Sequence, residues 1–243
     1  MVSINISSES DPNWNKRLFD NELGTNRQVV ETGLRFKQVN KKPYFITFEN
    51  NTGEIIGQLL ISTFDRFSKK SSAKKLLGKL SRKSQIICQW EYGPAIFQTD
   101  YSEQIYEKLG EFFNSKKFFV TGWQHPFMTE GISVLNKKFQ IIPWSTFIID
   151  LTKPLDVLFQ QINKKSGQKN IERSQQRGVV IDEINENNLS EFLELRNIMK
   201  KNEGLELNTL DNFLQWWKLM KPLGLSGFLA RKDDKPIGGL LFS

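Results

Sequence analysis

The 243 residues include one histidine and one cysteine, which leaves few ways to build a reactive centre. His125 and Cys88 cannot supply the imidazole and thiolate set of a structural zinc site, so none is expected and no metal ligands are assigned, while a carboxylate-bound Mg²⁺ stays open. A nucleophile and its base would have to be assembled around His125 alone. An imidazole with an intrinsic pKa of about 6.5 can orient or deprotonate an amine. A lone histidine beside proline serves equally well as the hydrogen-bonding group of a turn. The sequence contains no GxGxxG, GxxxxGK[ST] or GxSxG motif, so the common dinucleotide, triphosphate and serine-hydrolase chemistries have no visible anchor.

Positive charge is the stronger signal. Lys and Arg number 34 against 27 Asp and Glu, a net charge of +7 and a pI near 9.3. Such a balance favours polyanionic partners. Lys165, Lys169, Arg173 and Arg177 recur every four residues in KKSGQKNIERSQQRG, and Glu172 is the only acid among them. On an α-helix a four-residue step overshoots one turn by about 40°, so the four cations are expected to share one broad face. That face is either a phosphate-binding rail for RNA or a nucleotide, or simply a solvated helix surface. Gly167 within it weakens the helix or marks a kink, and Gly178 reads as its terminator. A second cluster, with Lys74, Lys75, Lys79, Arg82 and Lys83 around Leu76, Leu77 and Leu80, fits an anionic membrane surface, RNA or a solvated loop.

These groups need a frame. A composition of 38% hydrophobic and 25% charged residues with mean hydropathy −0.44 is that of a soluble globular chain. No run approaches the roughly 18 apolar residues of a membrane span, and the polar first residues do not resemble a signal peptide. With its single cysteine the chain suits a reducing compartment. The cytoplasm is therefore expected, with peripheral contact at the inner membrane face.

Two segments look alike. PYFITFENNTGEIIGQLLIS, Pro43 to Ser62, and SGFLARKDDKPIGGLLFS, Ser226 to Ser243, each read as strand, polar turn and a strand with I-G-x-L-L. Ile56, Gly57, Leu59 and Leu60 thus match Ile237, Gly238, Leu240 and Leu241. Ahead of the second hairpin the pattern predicts a strand (Thr146 to Leu151), a helix (Pro154 to Asn163), the basic helix and a strand (Val179 to Ile184). Two further helices follow. Asn188 and Glu191 read as a capping box, with Leu189, Phe192, Leu195 and Met199 on one face. Thr209 caps the next helix, whose Leu210, Phe213, Leu214 and Trp217 form a stripe ended by Pro222; Trp216 is assigned to packing before base stacking. After the first hairpin come the basic insert, a strand into Tyr92-Gly93-Pro94, a helix from Tyr101 to Phe113, and two more strands. The expected fold is α/β (α+β): two lobes, 1–145 and 146–243, with mixed sheets flanked by helices. The second lobe is expected to be incomplete at its C-terminus, leaving a strand edge for a missing C-terminal part, a symmetry mate or a partner to cover.

The order of these motifs resembles the Fem family, aminoacyltransferases that build peptidoglycan cross-bridges on two GNAT-like lobes. WEYGPAI (90–96), FFVTGWQHPF (118–127), STFIIDL (145–151), KKSGQKNIERSQQRGV, EGLELNTLDNFLQWW and FLARKDDKPIGGLLF carry the likeness. The resemblance implies a groove for a nucleotide- or lipid-linked amine acceptor, and aminoacyl-tRNA as donor with no further cofactor. Lys37 takes the place of a family lysine that contacts substrate phosphate, and Trp123 and Gln124 face substrate. His125 stands where relatives often carry a carboxylate, which makes it the candidate catalytic group. Asn208 and Asn212 stand where arginine and tyrosine help hold the nucleotide in some members. The late lysine used near the transferring carbonyl would lie beyond Ser243. Two other readings remain open: a GNAT-type N-acyltransferase using acyl-CoA, and a non-catalytic homologue or fragment that binds RNA or anionic lipid.

Overall fold

The computed structural model describes residues 1–22, 24–66, 86–128, 134, 137 and 139–242. The cluster of Lys74, Lys75, Lys79, Arg82 and Lys83 lies outside the described residues. The chain divides into two compact units, Met1–Thr146 and Phe147–Ser243. Both are sheets flanked by helices, and the fold is mixed α/β. Among the described residues no helix is long and apolar enough to cross a membrane.

Unit 1 is built on a hairpin of β2 (Lys42–Glu49) and β3 (Ile55–Asp65). β1 (Ser3–Ser7) pairs with β2, and β4 (Ile86–Trp90) and β5 (Ala95–Ile96) both pair with β3, all antiparallel. β6 (Phe119–Gly122) adds in parallel to β4. Alternation along PYFITF sends Phe45 to one face and Ile46 and Phe48 to the other. Helices α1 (Trp14–Phe19) and α2 (Val30–Gln38) cover the first face. There Trp14 meets Phe45 edge-on at 4.9 Å, and the glycine at 33 lets α2 settle on the Phe45 ring. Helix α3 (Ser102–Lys116) covers the second, placing Ile105, Tyr106, Leu109 and Phe113 in one buried cluster with Ile46, Phe48, Leu59 and Ile61.

β3 has a gap on its outer edge. Residues 57–58 pair with β5 and 62–65 with β4, but Leu60 meets neither strand. The buried side chain of Gln28 fills the gap: its Oε1 accepts from Leu60 N–H at 2.6 Å, and its Nε2 donates to the carbonyls of Leu60 at 3.3 Å and Glu91 at 2.7 Å. Gln28 is itself fixed by the Trp14 indole N–H, which donates to its carbonyl at 2.7 Å.

Unit 2 holds a three-stranded antiparallel sheet, β7 (Val180–Glu183), β8 (Ser226–Lys232) and β9 (Lys235–Phe242) in that order. Helices α4 (Leu155–Gln161), α5 (Lys169–Gln176), α6 (Leu189–Asn202) and α7 (Leu210–Met220) precede or separate the strands. α6 and α7 pack on one face through Leu189, Phe192, Leu193, Phe213 and Trp217, together with Ile184 and Leu229. The turn between β8 and β9 places Asp233 and Asp234 at φ 50° and 59°, the left-handed pair that a two-residue hairpin requires.

Several local expectations are corrected. Residues 146–151 form no strand, because no described strand lies beside them to accept their backbone groups. Phe147 is fully exposed there. After α3 one strand forms among the described residues, not two. The Asn188 side chain makes no helix cap; it accepts from Asn185 N–H at 2.8 Å and donates to the Glu183 carbonyl at 3.0 Å. Glu191 is drawn to Arg231, which donates to both carboxylate oxygens at 2.7 and 2.8 Å, a stronger bidentate pairing than a cap bond. Leu193 is buried and Met199 turns to solvent. The Thr209 cap forms, accepting from Asn212 N–H at 3.3 Å.

Gln28→Ala leaves the Leu60 amide and carbonyl without partners inside the sheet. At about 1–3 kcal/mol per unsatisfied group, a loss of about 3 kcal/mol is expected, seen as a lower urea midpoint. Gln28→Glu, of the same shape but unable to donate to two carbonyls, should also destabilise; a wild-type midpoint in both variants would refute this role.

Candidate functional site

The loop after β4 turns sharply at Tyr92, whose φ is 50°. It is strapped to the end of β6: Gly93 N–H donates to the Trp123 carbonyl at 3.0 Å, and Trp123 N–H to the Trp90 carbonyl at 3.3 Å. Trp90 anchors the strap by stacking on Phe113 at 5.5 Å and donating its indole N–H to the Gly93 carbonyl at 3.0 Å. A side chain at position 122 would strike the Trp90 ring, so glycine is required there. Tyr92, Trp123 and Trp144 are thereby gathered into a triangle with ring centroids 5.9, 6.1 and 6.3 Å apart. Trp123 and Trp144 are each 51% exposed, so the ring edges and faces form an open apolar surface. Gln124 points inward and donates to the Tyr106 hydroxyl at 3.1 Å. Sequence reasoning singles out Trp123 and Gln124 but neither Tyr92, which lies inside WEYGPAI, nor Trp144, which directly precedes STFIIDL; their meeting depends on the tertiary strap.

His125 is buried, and its Nδ1 accepts from Phe127 N–H at 3.2 Å while its carbonyl accepts from Met128 N–H at 3.0 Å. An imidazole accepting at Nδ1 is neutral and carries its proton on Nε2. In this state it closes a turn and has no free lone pair with which to act as a base. Burial holds its pKa below the usual value.

Lys37 lies in a different part of unit 1. With Ser8, Asn40, Lys41, Lys42, Pro43 and Tyr44 it lines an open pocket of about 420 Å³, whose charged groups among the described residues are the three ammoniums. The Lys41 Nζ sits 4.7 Å from the Phe64 ring centroid and 5.9 Å from that of Phe36, a placement that favours a cation. Burial pulls its pKa down; the Glu91 charge counters this and Arg35 adds to it. Glu91 itself pairs with Arg27 at 3.4 Å. The pocket can take an anion of phosphate size.

The remaining candidates fall in unit 2. The four cations do not lie on one continuous α-helix. Lys164–Gln168 forms a π-turn, with the Asn163 side chain accepting from the amides of Lys165 and Ser166, and Arg177 sits at the C-cap. Lys169 and Arg173 remain one turn apart, and α5 buries no residue. Gly167 permits the π-turn, since a side chain there would strike Ile162, and Gly178 ends the segment at φ 76°. Asn208 is tied into its own unit. Its N–H and carbonyl bond the Asn197 amide at 3.0 and 2.9 Å, and its side-chain oxygen accepts from Lys200. Asn212 is exposed in the first turn of α7. Trp216 packs beside Phe213 at 5.2 Å.

A hairpin strand flanked by two separate outer strands, followed by a helix and a parallel strand, is the frame of unit 1, and the fold of the chain is like that of a solved FemX structure. Among solved structures, FemX aligns with a TM-score of 0.60 at 14% identity, covering 93% of this chain and 57% of the FemX chain. This chain therefore spans little more than half the FemX length. A GCN5-related glucosamine N-acetyltransferase region of a fungal multi-domain GH3 β-N-acetylglucosaminidase aligns at a TM-score of 0.37 and 10% identity. It covers 98% of this chain and 27% of that one, too distant to bear on the fold. No protein-family profile and no curated protein matches the sequence.

The single imidazole gives a direct test of the turn. Because its folded pKa is lowered, the unfolded chain takes up the proton first. Stability is full above about pH 6.5 and declines as pH falls through that value. NMR titration of the one histidine should give a midpoint below 6.5, and His125→Asn should remove the corresponding acid-side loss in thermal melts. A midpoint at or above the unperturbed value would contradict the assignment.

Proposed function

We propose that this chain carries the frame of a Fem-type aminoacyltransferase, moving an aminoacyl group from aminoacyl-tRNA to an amine of a nucleotide- or lipid-linked cell-wall precursor or a similar acceptor. The observation that carries this reading is the likeness to FemX over 93% of the chain, joined to two exposed cationic sites. In the reaction the acceptor nitrogen attacks the ester carbonyl. A C–N bond forms, the C–O bond to the ribose breaks, and the proton lost by the amine ends on the ribose oxygen. The ester arrives activated, so alignment and nearby positive charge can supply most of the rate without a covalent intermediate or a cofactor.

Within this reading the Lys37, Lys41 and Lys42 pocket receives acceptor phosphate, and the surface of Tyr92, Trp123 and Trp144 supports the acceptor. His125 fixes the turn that presents Trp123 and Gln124. Lys169 and Arg173 contact the RNA backbone. An acyl-CoA donor fits less well in unit 1. The segment leading into α3 carries Asp100 and Glu103 in its first turns, where a pyrophosphate would meet like charge instead of free amides.

Lys169→Glu with Arg173→Glu tests the donor side. Filter binding of aminoacyl-tRNA across a salt series should lose affinity, with the log–log salt slope shallower by about 2 for two lost phosphate contacts. Circular dichroism should be unchanged, since α5 buries nothing. Wild-type binding in this variant would remove the donor site, and acyl-CoA binding by calorimetry without RNA binding would favour the rival enzyme.

A further inference from the structure

The two hairpins agree beyond their sequences. Ile46 pairs with Leu59 as Phe228 pairs with Leu240, Tyr44 with Ile61 as Ser226 with Phe242, and Phe48 with Gly57 as Ala230 with Gly238. Each ladder slips at the same place, between Phe48 and Glu49 and between Ala230 and Arg231. The faces then correspond residue by residue. The face of Phe45 and Leu60, covered by α1 and α2, matches that of Gly227 and Leu241, on the α6–α7 side. The face of Ile46, Leu59 and Ile61, covered by α3, matches that of Phe228, Leu240 and Phe242.

In unit 2 nothing described in that unit covers this second face. Leu240 is 63% exposed, Phe242 45% and Phe228 44%, with Ile181 of β7 beside them at 58%. Phe228 and Phe242 touch each other at 5.6 Å. The outer edge of β9 pairs with no described strand, whereas β3 pairs there with β4 and β5. The glycines sharpen the contrast. A Cβ at Gly57 would lie 3.1 Å from the Ile105 side chain of α3, while a Cβ at Gly238 would meet nothing within 4 Å. Glycine weakens a strand interior unless something approaches it closely.

We propose that β9 and this apolar face receive a strand-and-helix segment of polypeptide outside the 243 residues, built like Ile86–Lys116. Its strand pairs with the open edge of β9, and its amphipathic helix lays an apolar stripe over Phe228, Leu240 and Phe242, with one side chain seated on Gly238 as Ile105 sits on Gly57. A second copy joined edge to edge would satisfy the strand but leave the face bare, and a bilayer would cover the face but leave the edge unpaired. The inference does not depend on the proposed reaction.

The probe is a synthetic peptide of residues 86–116, titrated into the whole chain and followed by calorimetry and by hydrogen exchange of the β9 amides. Saturable binding with slowed exchange along residues 235–242 is expected. Gly238→Val, which has room for its side chain and suits a strand, should leave the melting temperature unchanged or higher. It should weaken binding about thirtyfold, as for loss of one central contact. Leu240→Glu with Phe242→Glu should abolish binding. The proposal is overturned by no binding, by binding indifferent to these variants (exchange into unit 1), by light scattering that shows a dimer lost in Leu240→Glu with Phe242→Glu, or by co-sedimentation of the chain with anionic vesicles lost in the same variant.

Discussion

Every amide and carbonyl along a buried strand must find a partner, and in this protein that requirement is hardest to meet on the outer edge of β3. Two strands reach that edge, and neither reaches Leu60. Gln28 bridges the interval by offering, from one side chain, the acceptor and the donor that a strand would have offered. The same amide group holds the Glu91 carbonyl, so the residues between β4 and β5 are forced outward as a loop. That loop carries Tyr92, and its amide at Gly93 fixes the Trp123 backbone. The aromatic surface of unit 1 is therefore a consequence of how one strand edge is closed.

The requirement acts on unit 2 as well, with a different outcome. Its hairpin repeats the pairing and the slip of the first, but the edge of β9 and the face of Phe228 have no described cover in their unit. Leu240 and Phe242 would each bury on the order of 1.5–3 kcal/mol of favourable transfer if covered, and the free strand edge adds hydrogen-bonding capacity to the same place. Both terms pull in one direction, toward a polypeptide that can satisfy edge and face together.

Much of this frame was legible in the sequence. The β2–β3 and β8–β9 hairpins announce themselves by alternation around polar turns, and Thr209 and Gly178 mark helix boundaries that the structure keeps. What could not be seen depended on tertiary competition. Glu191 has the spacing of a capping residue, but an arginine brought across from β8 outbids the cap. Residues 146–151 have the composition of a strand but no ladder to join. The four cations have helical spacing, but they fall on a π-turn, a short α-helix and its C-cap instead of one continuous α-helix. Gln28 is a polar residue in a polar stretch, and nothing local foretells its burial against Leu60. Tyr92 and Trp144 become a pair only through the strap that aligns Trp123.

The chemistry that the frame can support follows from what His125 is doing. Its Nδ1 is spent on a turn amide and burial disfavours its cation, so His125 is not placed to act as a base at the aromatic surface. A reaction that needs strong proton abstraction or a covalent enzyme intermediate is badly served by such a site. Aminolysis of an ester is not: the amine is already a nucleophile once neutral, the ribose oxygen is a competent leaving group, and the main barrier is bringing two large anionic molecules together in register. Cations with few competing carboxylates suit that task, because each is free to meet phosphate without first breaking an ion pair. Among the described residues no carboxylate forms an ion pair with Lys37, Lys42, Lys169 or Arg173, whereas Arg231, already bonded to Asp182 and Glu191, serves the fold. Where a cation spends its charge thus separates those left without a described carboxylate partner from those that hold the sheet together.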